Sequence, residues 1–237
     1  MIYAEILAGG SGKRFGDANL PKQFHILGEK PIIIHTIEQF MIHPKIDKII
    51  ICVPKDWMSY TDDLIEKYIP NRTNIELTEG GSARNETIMN GCRYIEKNYG
   101  IDNEDVIITH DAVRPFINQR IIDDNITALK KYDAVDTAIP ATDTIIAVEK
   151  DNIIDNIPDR SKLWYGQTPQ SFNIKKLMKV YESLTKEEKD ILTDACKIFS
   201  IKKKDVKVVD GETYNIKITT VFDLKLADAI MMVRKDD

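Results

Sequence analysis

The chain is predicted to be an α/β protein built on a mostly parallel sheet with helices on both faces. Apolar runs of strand length alternate with segments of helical periodicity, and the runs are continuously apolar, as strands covered on both faces are. A chain of 237 residues is also long enough to close around one large core, so a single domain over residues 1–237 with one excursion is expected.

Residues 2–7 form a short apolar strand that stops at Ala8-Gly9-Gly10-Ser11-Gly12, and residues 31–40 continue with helical spacing. The order is strand, glycine loop, helix. Residues 48–53 read as a second buried strand, 58–69 as an amphipathic helix, and 75–77 as a short strand running into Gly80-Gly81. From 83 to 97, Ile88, Cys92 and Ile95 recur at helical spacing. Residues 106–109 make a strand ending at His110-Asp111, followed by a helix over 120–132 and a strand over 134–139. Between 140 and 166 the texture changes to β-prone pieces at 144–148 and 153–157 around the polar turn Lys150-Asp151-Asn152, a protruding β-arm. A lone hairpin is barely stable in water, so the arm is expected to pack on a second copy of the chain. Helical patterns resume at 174–183 and 193–199, then a strand at 206–209 and a last helix after Thr219-Thr220. In open sheets of this kind ligands bind at the carboxyl ends of the strands, where the loops after residues 7, 77 and 109 converge.

Composition excludes several classes. With 43% hydrophobic and 30% charged residues and no run near ~18 apolar residues, no membrane span is expected. The opening MIYAEILAGG has neither a basic lead-in nor a cleavage site, so a cytoplasmic location is expected. A net charge of −5 argues against nucleic acid as a partner, because phosphate-backbone affinity needs clustered Lys and Arg. Cys52, Cys92 and Cys196 are odd in number and scattered, which predicts neither disulfides nor a metal cluster. His25, His35 and His43 read as structural or surface residues, whereas His110 could shape the loop beside Asp111.

The glycine turn followed by Lys13 and Arg14 suits a phosphate, since glycines admit close backbone approach and a cation adds charge. A dinucleotide fingerprint would need a third glycine at fixed spacing and an acidic ribose contact after strand two, where Val53-Pro54-Lys55 stands. That weighs against a nicotinamide-dependent dehydrogenase. Pro21 stiffens the chain before Lys22, so two cations flank one loop. Asp111, directly after a buried strand, offers a hard oxygen for Mg²⁺ or, alternatively, a turn cap.

Leu7-Ala8-Gly9-Gly10, Arg14 and Pro21-Lys22-Gln23-Phe24 together resemble the signature of the sugar-phosphate cytidylyltransferases, a family that includes methylerythritol phosphate and ribitol phosphate enzymes. The resemblance continues through Gly80-Gly81-Ser82-Ala83-Arg84, His110-Asp111-Ala112-Val113-Arg114-Pro115, Asp159-Arg160, Gln167-Thr168-Pro169-Gln170-Ser171-Phe172 and Asn215-Ile216-Lys217-Ile218-Thr219. It implies a Rossmann-like three-layer nucleotidyltransferase (GT-A-like) fold with a β-hairpin dimerisation arm over residues 140–166. It further implies that Arg14, Lys22, Arg160 and Lys217 are catalytic. Leu7, Ala8, Gly9 and Gly10, the loop Gly80, Gly81, Ser82, Ala83, Arg84, Asn85, Glu86 and Thr87, and Asp111 would then bind CTP. Asp111 would hold Mg²⁺. Arg114, Thr144, Arg160, Thr168 and Lys217 would meet the acceptor, with Thr144 reaching the neighbouring subunit of a homodimer. A catalytically silent nucleotide-binding protein on the same fold is a rival from another class, opposed by the joint presence of Arg14, Lys22, Asp111 and Lys217.

Thr193-Asp194-Ala195-Cys196-Lys197 and Tyr165-Gly166-Gln167-Thr168-Pro169-Gln170 resemble the ribitol branch of the family. The implied reaction transfers CMP from CTP to D-ribitol 5-phosphate, giving CDP-ribitol for wall teichoic acid. The alternative acceptor is 2-C-methyl-D-erythritol 4-phosphate. Gln167 is expected to add polarity to the acceptor pocket, a feature that discriminates strongly between acceptors.

Overall fold

A computed structural model describes residues 1–10, 15 and 20–235. The parallel strands β1 (Ile2–Leu7), β4 (Lys48–Val53), β5 (Ile75–Glu79) and β6 (Val106–Asp111) lie in the order β5-β4-β1-β6. Side chains alternate along each strand and so feed two cores. Ala4, Ile6, Ile49, Ile51, Val53 and Ile108 face one side, under α1 (Ile32–Met41), α2 (Met58–Tyr68) and α4 (Gln119–Ala128). Tyr3, Ile50, Cys52 and Ile107 face the other, under α3 (Arg84–Tyr99), α5 (Ile174–Glu182) and α7 (Lys197–Ile201). This is the three-layer, mostly parallel arrangement expected from the sequence.

The sheet then departs from the expected pattern. Strand β10 (Trp164–Asn173) runs antiparallel between β6 and β7 (Ala134–Pro140), and β11 (Lys207–Asp210) pairs parallel with β7 at the far edge. The sequence gives little sign of β10, because Gln167, Thr168, Gln170 and Ser171 are polar and Pro169 interrupts the run; a proline inside a sheet sits at an irregularity. The register with β7 does shift between Gly166 and Gln170. All four polar residues are buried and bond inward. Two smaller elements also escape the periodicity: the hairpin β2 (Ile26–Leu27) and β3 (Lys30–Pro31), and the short helix α6 (Lys186–Asp190), whose sequence reads as solvated surface.

The arm is a separate two-stranded sheet, β8 (Ala147–Val148) with β9 (Ile154–Asn156), shorter than expected. Its turn carries Asp151 and Asn152 at φ 66° and 61°, residues whose short polar side chains tolerate the left-handed region. Ala141 donates to the Leu163 carbonyl at the arm's base. A third apolar cluster of Phe15, Leu27, Ile32, Val113, Phe116, Ile218 and Ala227 joins the β2–β3 hairpin to the last helix α8 (Val221–Lys235). This cluster holds the segment bearing Lys217 against the sheet edge. No helix of the described residues is long and apolar enough to cross a membrane.

Candidate active site

The carboxyl ends of β1, β4, β5 and β6 are stitched together by the chain that follows them. Ala8 N–H donates to the Cys52 carbonyl at 2.9 Å, Gly80 to Val53 at 2.8 Å, and Ala112 to Leu7 at 3.1 Å. Above these bonds opens a cleft of about 220 Å³, lined by Leu7, Ala8, Gly9, Gly10, Lys22, Gln23, Gly81, Ser82, Ala83, Arg84, Thr87, Asp111, Ala112, Val113 and Lys217. The three loops expected to converge do so.

Lys22 opens a helical turn over Lys22–Phe24, entered from Pro21. Gln23, not expected as a site residue, is buried and donates from Nε2 to the Ala8 carbonyl at 2.7 Å, which ties this turn to the glycine loop. Lys22 thereby lies over Gly10, where an added Cβ would stand 3.6 Å from Lys22 Cε. Arg14 lies outside the described residues.

The second wall is the loop before α3. A Cβ at Gly81 would fall 2.5 Å from Glu86 Cγ, so the tight approach of loop and helix requires glycine there. Glu86 Oε2 accepts from Ser82 N–H at 2.7 Å, and the Thr87 hydroxyl accepts from Gly81 N–H at 3.0 Å while donating to the Ala83 carbonyl at 3.0 Å. Thr87 and Glu86 therefore shape the loop; the Thr87 hydroxyl proton expected for a nucleotide oxygen is directed to the backbone. Asn85 is buried and, with Glu86, lines a separate depression beside Arg93, Tyr181 and Lys189.

At the cleft floor the Asp111 carboxylate is paired with Arg84, with Lys217 Nζ at 2.8 Å, and with Arg114 Nε at 3.5 Å. Burial alone would raise its pKa, but Arg84, Lys217 and Arg114 outweigh burial and hold the carboxyl well below the usual range. These three cations favour the ionised form of Asp111. Beneath it, Thr168 Oγ accepts from Asp111 N–H at 3.2 Å and lies 3.0 Å from His110 Nδ1. His110 Nε2 lies 3.0 Å from the Arg114 carbonyl. A carbonyl only accepts, so Nε2 carries the proton and Nδ1 accepts from Thr168. Burial, the main cause, pulls His110 down to about 4.

Thr168 and Arg114, expected near the acceptor phosphate, therefore sit below the cleft lining. The Arg114 guanidinium donates from Nη1 to the Asn215 carbonyl at 2.7 Å. Gln167, expected to add polarity to the acceptor pocket, is buried: it donates to the Glu212 carbonyl at 2.8 Å and accepts from Asn215 Nδ2 at 3.2 Å. Its amide is occupied in fixing the segment that leads to Lys217. Thr144 and Arg160 lie on or beside the arm, outside this cleft, with Arg160 Nη1 donating to the Thr142 carbonyl at 2.6 Å.

Among the described lining residues there is no cysteine or histidine, and Asp111 is the only carboxylate. All three cysteines are buried, and burial raises their thiols well above the ordinary range. Among the described residues, then, no cysteine or histidine is placed in the cleft to act as a covalent nucleophile. Lys22, Arg84 and Lys217 instead set three positive charges around the Asp111 carboxylate, beside a glycine backbone open to close approach, a provision that suits transfer at phosphorus.

Comparison with known proteins agrees with this chemistry. The family model described as "IspD: 2-C-methyl-D-erythritol 4-phosphate cytidylyltransferase" matches residues 2–233. A relative named ribitol-5-phosphate cytidylyltransferase, from Lactiplantibacillus plantarum, is 52% identical over 234 residues, covering 99% of this chain and 100% of its own. Among solved structures, the 4-diphosphocytidyl-2C-methyl-D-erythritol synthase of Anaerococcus prevotii superposes with a TM-score of 0.79 at 31% identity, covering 98% of this chain and 96% of that one. The 2-C-methyl-D-erythritol 4-phosphate cytidylyltransferase of Francisella tularensis gives 0.79 at 28% identity, covering 96% and 98%. The chain is a nucleotidyltransferase belonging to the IspD family of cytidylyltransferases.

Proposed function

We propose that this enzyme transfers CMP from CTP to D-ribitol 5-phosphate, forming CDP-ribitol and pyrophosphate for wall teichoic acid synthesis. The observation that carries the reading is the full-length 52% identity with a ribitol-5-phosphate cytidylyltransferase, joined to a cleft built for a polyphosphate. The methylerythritol enzymes it superposes on are at 31% and 28% identity.

In the proposed reaction an oxygen of the acceptor phosphate bonds to the α-phosphorus of CTP as the bond to the β-phosphate oxygen breaks. Pyrophosphate leaves with that electron pair. The attacking oxygen is already ionised at neutral pH, so no general base is needed, and rate comes from in-line placement and charge compensation. On this reading Gly9 and Gly10 with Lys22 hold the triphosphate, Arg84 the nucleotide, and Lys217 the acceptor phosphate, a division supported by their lining one cleft. The Asp111 carboxylate fits Mg²⁺, which is bound through one or two carboxylates together with substrate phosphates. When bound, the ion would neutralise charge on the triphosphate. Asp111 would hold the ion, and Lys217 and Arg84, its present partners, would be available to the substrate's phosphates.

The reading includes a homodimer. The arm exposes Ile146, Val148, Ile153, Ile154 and Ile157, an apolar face suited to a second copy, and Thr144 and Arg160 would then complete the acceptor site of the neighbouring subunit.

The test is pyrophosphate release from CTP and Mg²⁺ with ribitol 5-phosphate or 2-C-methyl-D-erythritol 4-phosphate. Preferred turnover of ribitol 5-phosphate is expected. Preference for the methylerythritol compound would replace the acceptor, and no release with either would reject the activity.

A further inference from the structure

Behind the cleft wall, the Gln170 side chain on β10 is fully buried between Arg84 and two carboxylates. Its Nε2 donates to Asp136 Oδ1 at 3.0 Å and to Asp194 Oδ2 at 2.6 Å, while its Oε1 accepts from Arg84 Nη2 at 3.4 Å. An amide has two N–H donors on one side and an acceptor oxygen on the other. Two carboxylates claim both donors, so the oxygen is forced towards Arg84; the flipped amide would set its oxygen against both. Asp194 is itself fixed, its Oδ1 accepting from Cys196 N–H at 2.8 Å. Crowding is evident in Asp136, which burial first and Asp194 second push up to about 6.

Arg84 therefore stands between two acceptors, Asp111 on the cleft side and Gln170 behind. Asp111 is also the carboxylate suited to a metal. Once it turns to one, the contact that remains to hold the guanidinium is Gln170. We propose that Gln170, oriented by Asp136 and Asp194, is a positioning residue that keeps Arg84 at the nucleotide while Asp111 is engaged elsewhere. None of the three lines the cleft, and the inference rests on the reading of Arg84 as a nucleotide contact.

Asp194→Asn is nearly isosteric but also removes a charge that attracts Arg84, so Gln170→Leu, which changes no charge, is read beside it. With the Cys196 N–H holding the new side-chain oxygen, its NH₂ faces the Gln170 NH₂, so the amide loses one of the two acceptors that orient it. Steady-state kinetics should show KM for CTP raised roughly 3- to 10-fold in Asp194→Asn and in Gln170→Leu, the value of one ordinary hydrogen bond, as befits a contact of 3.4 Å. The acceptor KM and kcat should move less than about twofold. In an Arg84→Ala background neither change should raise KM for CTP further, a non-additivity that general loosening would not produce. If Arg84→Ala raises KM for CTP while Asp194→Asn and Gln170→Leu leave it unchanged, or if the effects simply add, the positioning role is wrong. If Arg84→Ala itself leaves KM for CTP unchanged, the nucleotide reading of Arg84 falls, and the inference with it.

Discussion

A buried carboxylate needs partners, and Asp111 has three cations within reach. Under the proposed reading, a metal on this carboxylate would leave that positive charge to the substrate's phosphates. Lys22→Ala and Lys217→Ala are each expected to lower turnover by roughly two to three powers of ten, measured as pyrophosphate release, with thermal stability little changed for the cleft-lining Lys22. The titration of the floor also has a sign. His110 titrates near 4 in the folded protein against 6.5 when free, so the unfolded chain binds the extra proton first and His110 costs stability as pH falls from 6.5 towards 4. Asp136 works the other way: its folded value is about 6 against 3.8, so its penalty is full above pH 6 and fades towards 3.8. Melting curves across this range should show Asp136→Asn more stable than the parent above pH 6, with the gain vanishing as pH approaches 3.8. Asp111 was legible from its place at a strand end and Lys22 from the proline before it, whereas Arg84 and Lys217 were reached through the family resemblance; the fold brings all four to one cleft. The bonds of Gln23, Gln170, Thr168 and Gln167 were not legible, since each is made to groups that the chain brings near only on folding.

At the level of elements, the close fit of α3 on β1 explains where the Arg84 loop sits. A Cβ at Gly91 would fall 2.0 Å from Glu5 Oε1, and Glu5 is buried, its pKa raised well above the carboxylate range by desolvation, with the Cys52 thiol donating to Oε1 at 3.2 Å. Gly91→Ala is therefore expected to destabilise the protein by about 1–3 kcal/mol, the usual cost of overpacking, and Glu5→Ala in the same chain should recover part of it. Denaturant unfolding of the single and double variants measures both. The parallel strands and their helices were readable because apolar runs and helical spacing report burial directly. β10 hid because its burial is of polar groups, visible only once Thr168 meets His110 and Ser171 meets Asn125.

For the whole molecule, the sheet brings its site to one edge and leaves the arm without a core of its own. Under the proposed pairing, Ile153→Asp with Ile157→Asp should yield monomers by light scattering and depress activity, because Thr144 and Arg160 would no longer reach a partner's cleft. A fully active monomer would count against a shared site. Under the proposed function the edge formed by β1, β5 and β6 grips the triphosphate of CTP. A crystal structure with CTP and Mg²⁺ decides this: the phosphates should lie against Gly9, Gly10 and Lys22 with the metal on Asp111, and a nucleotide bound away from these residues would overturn it.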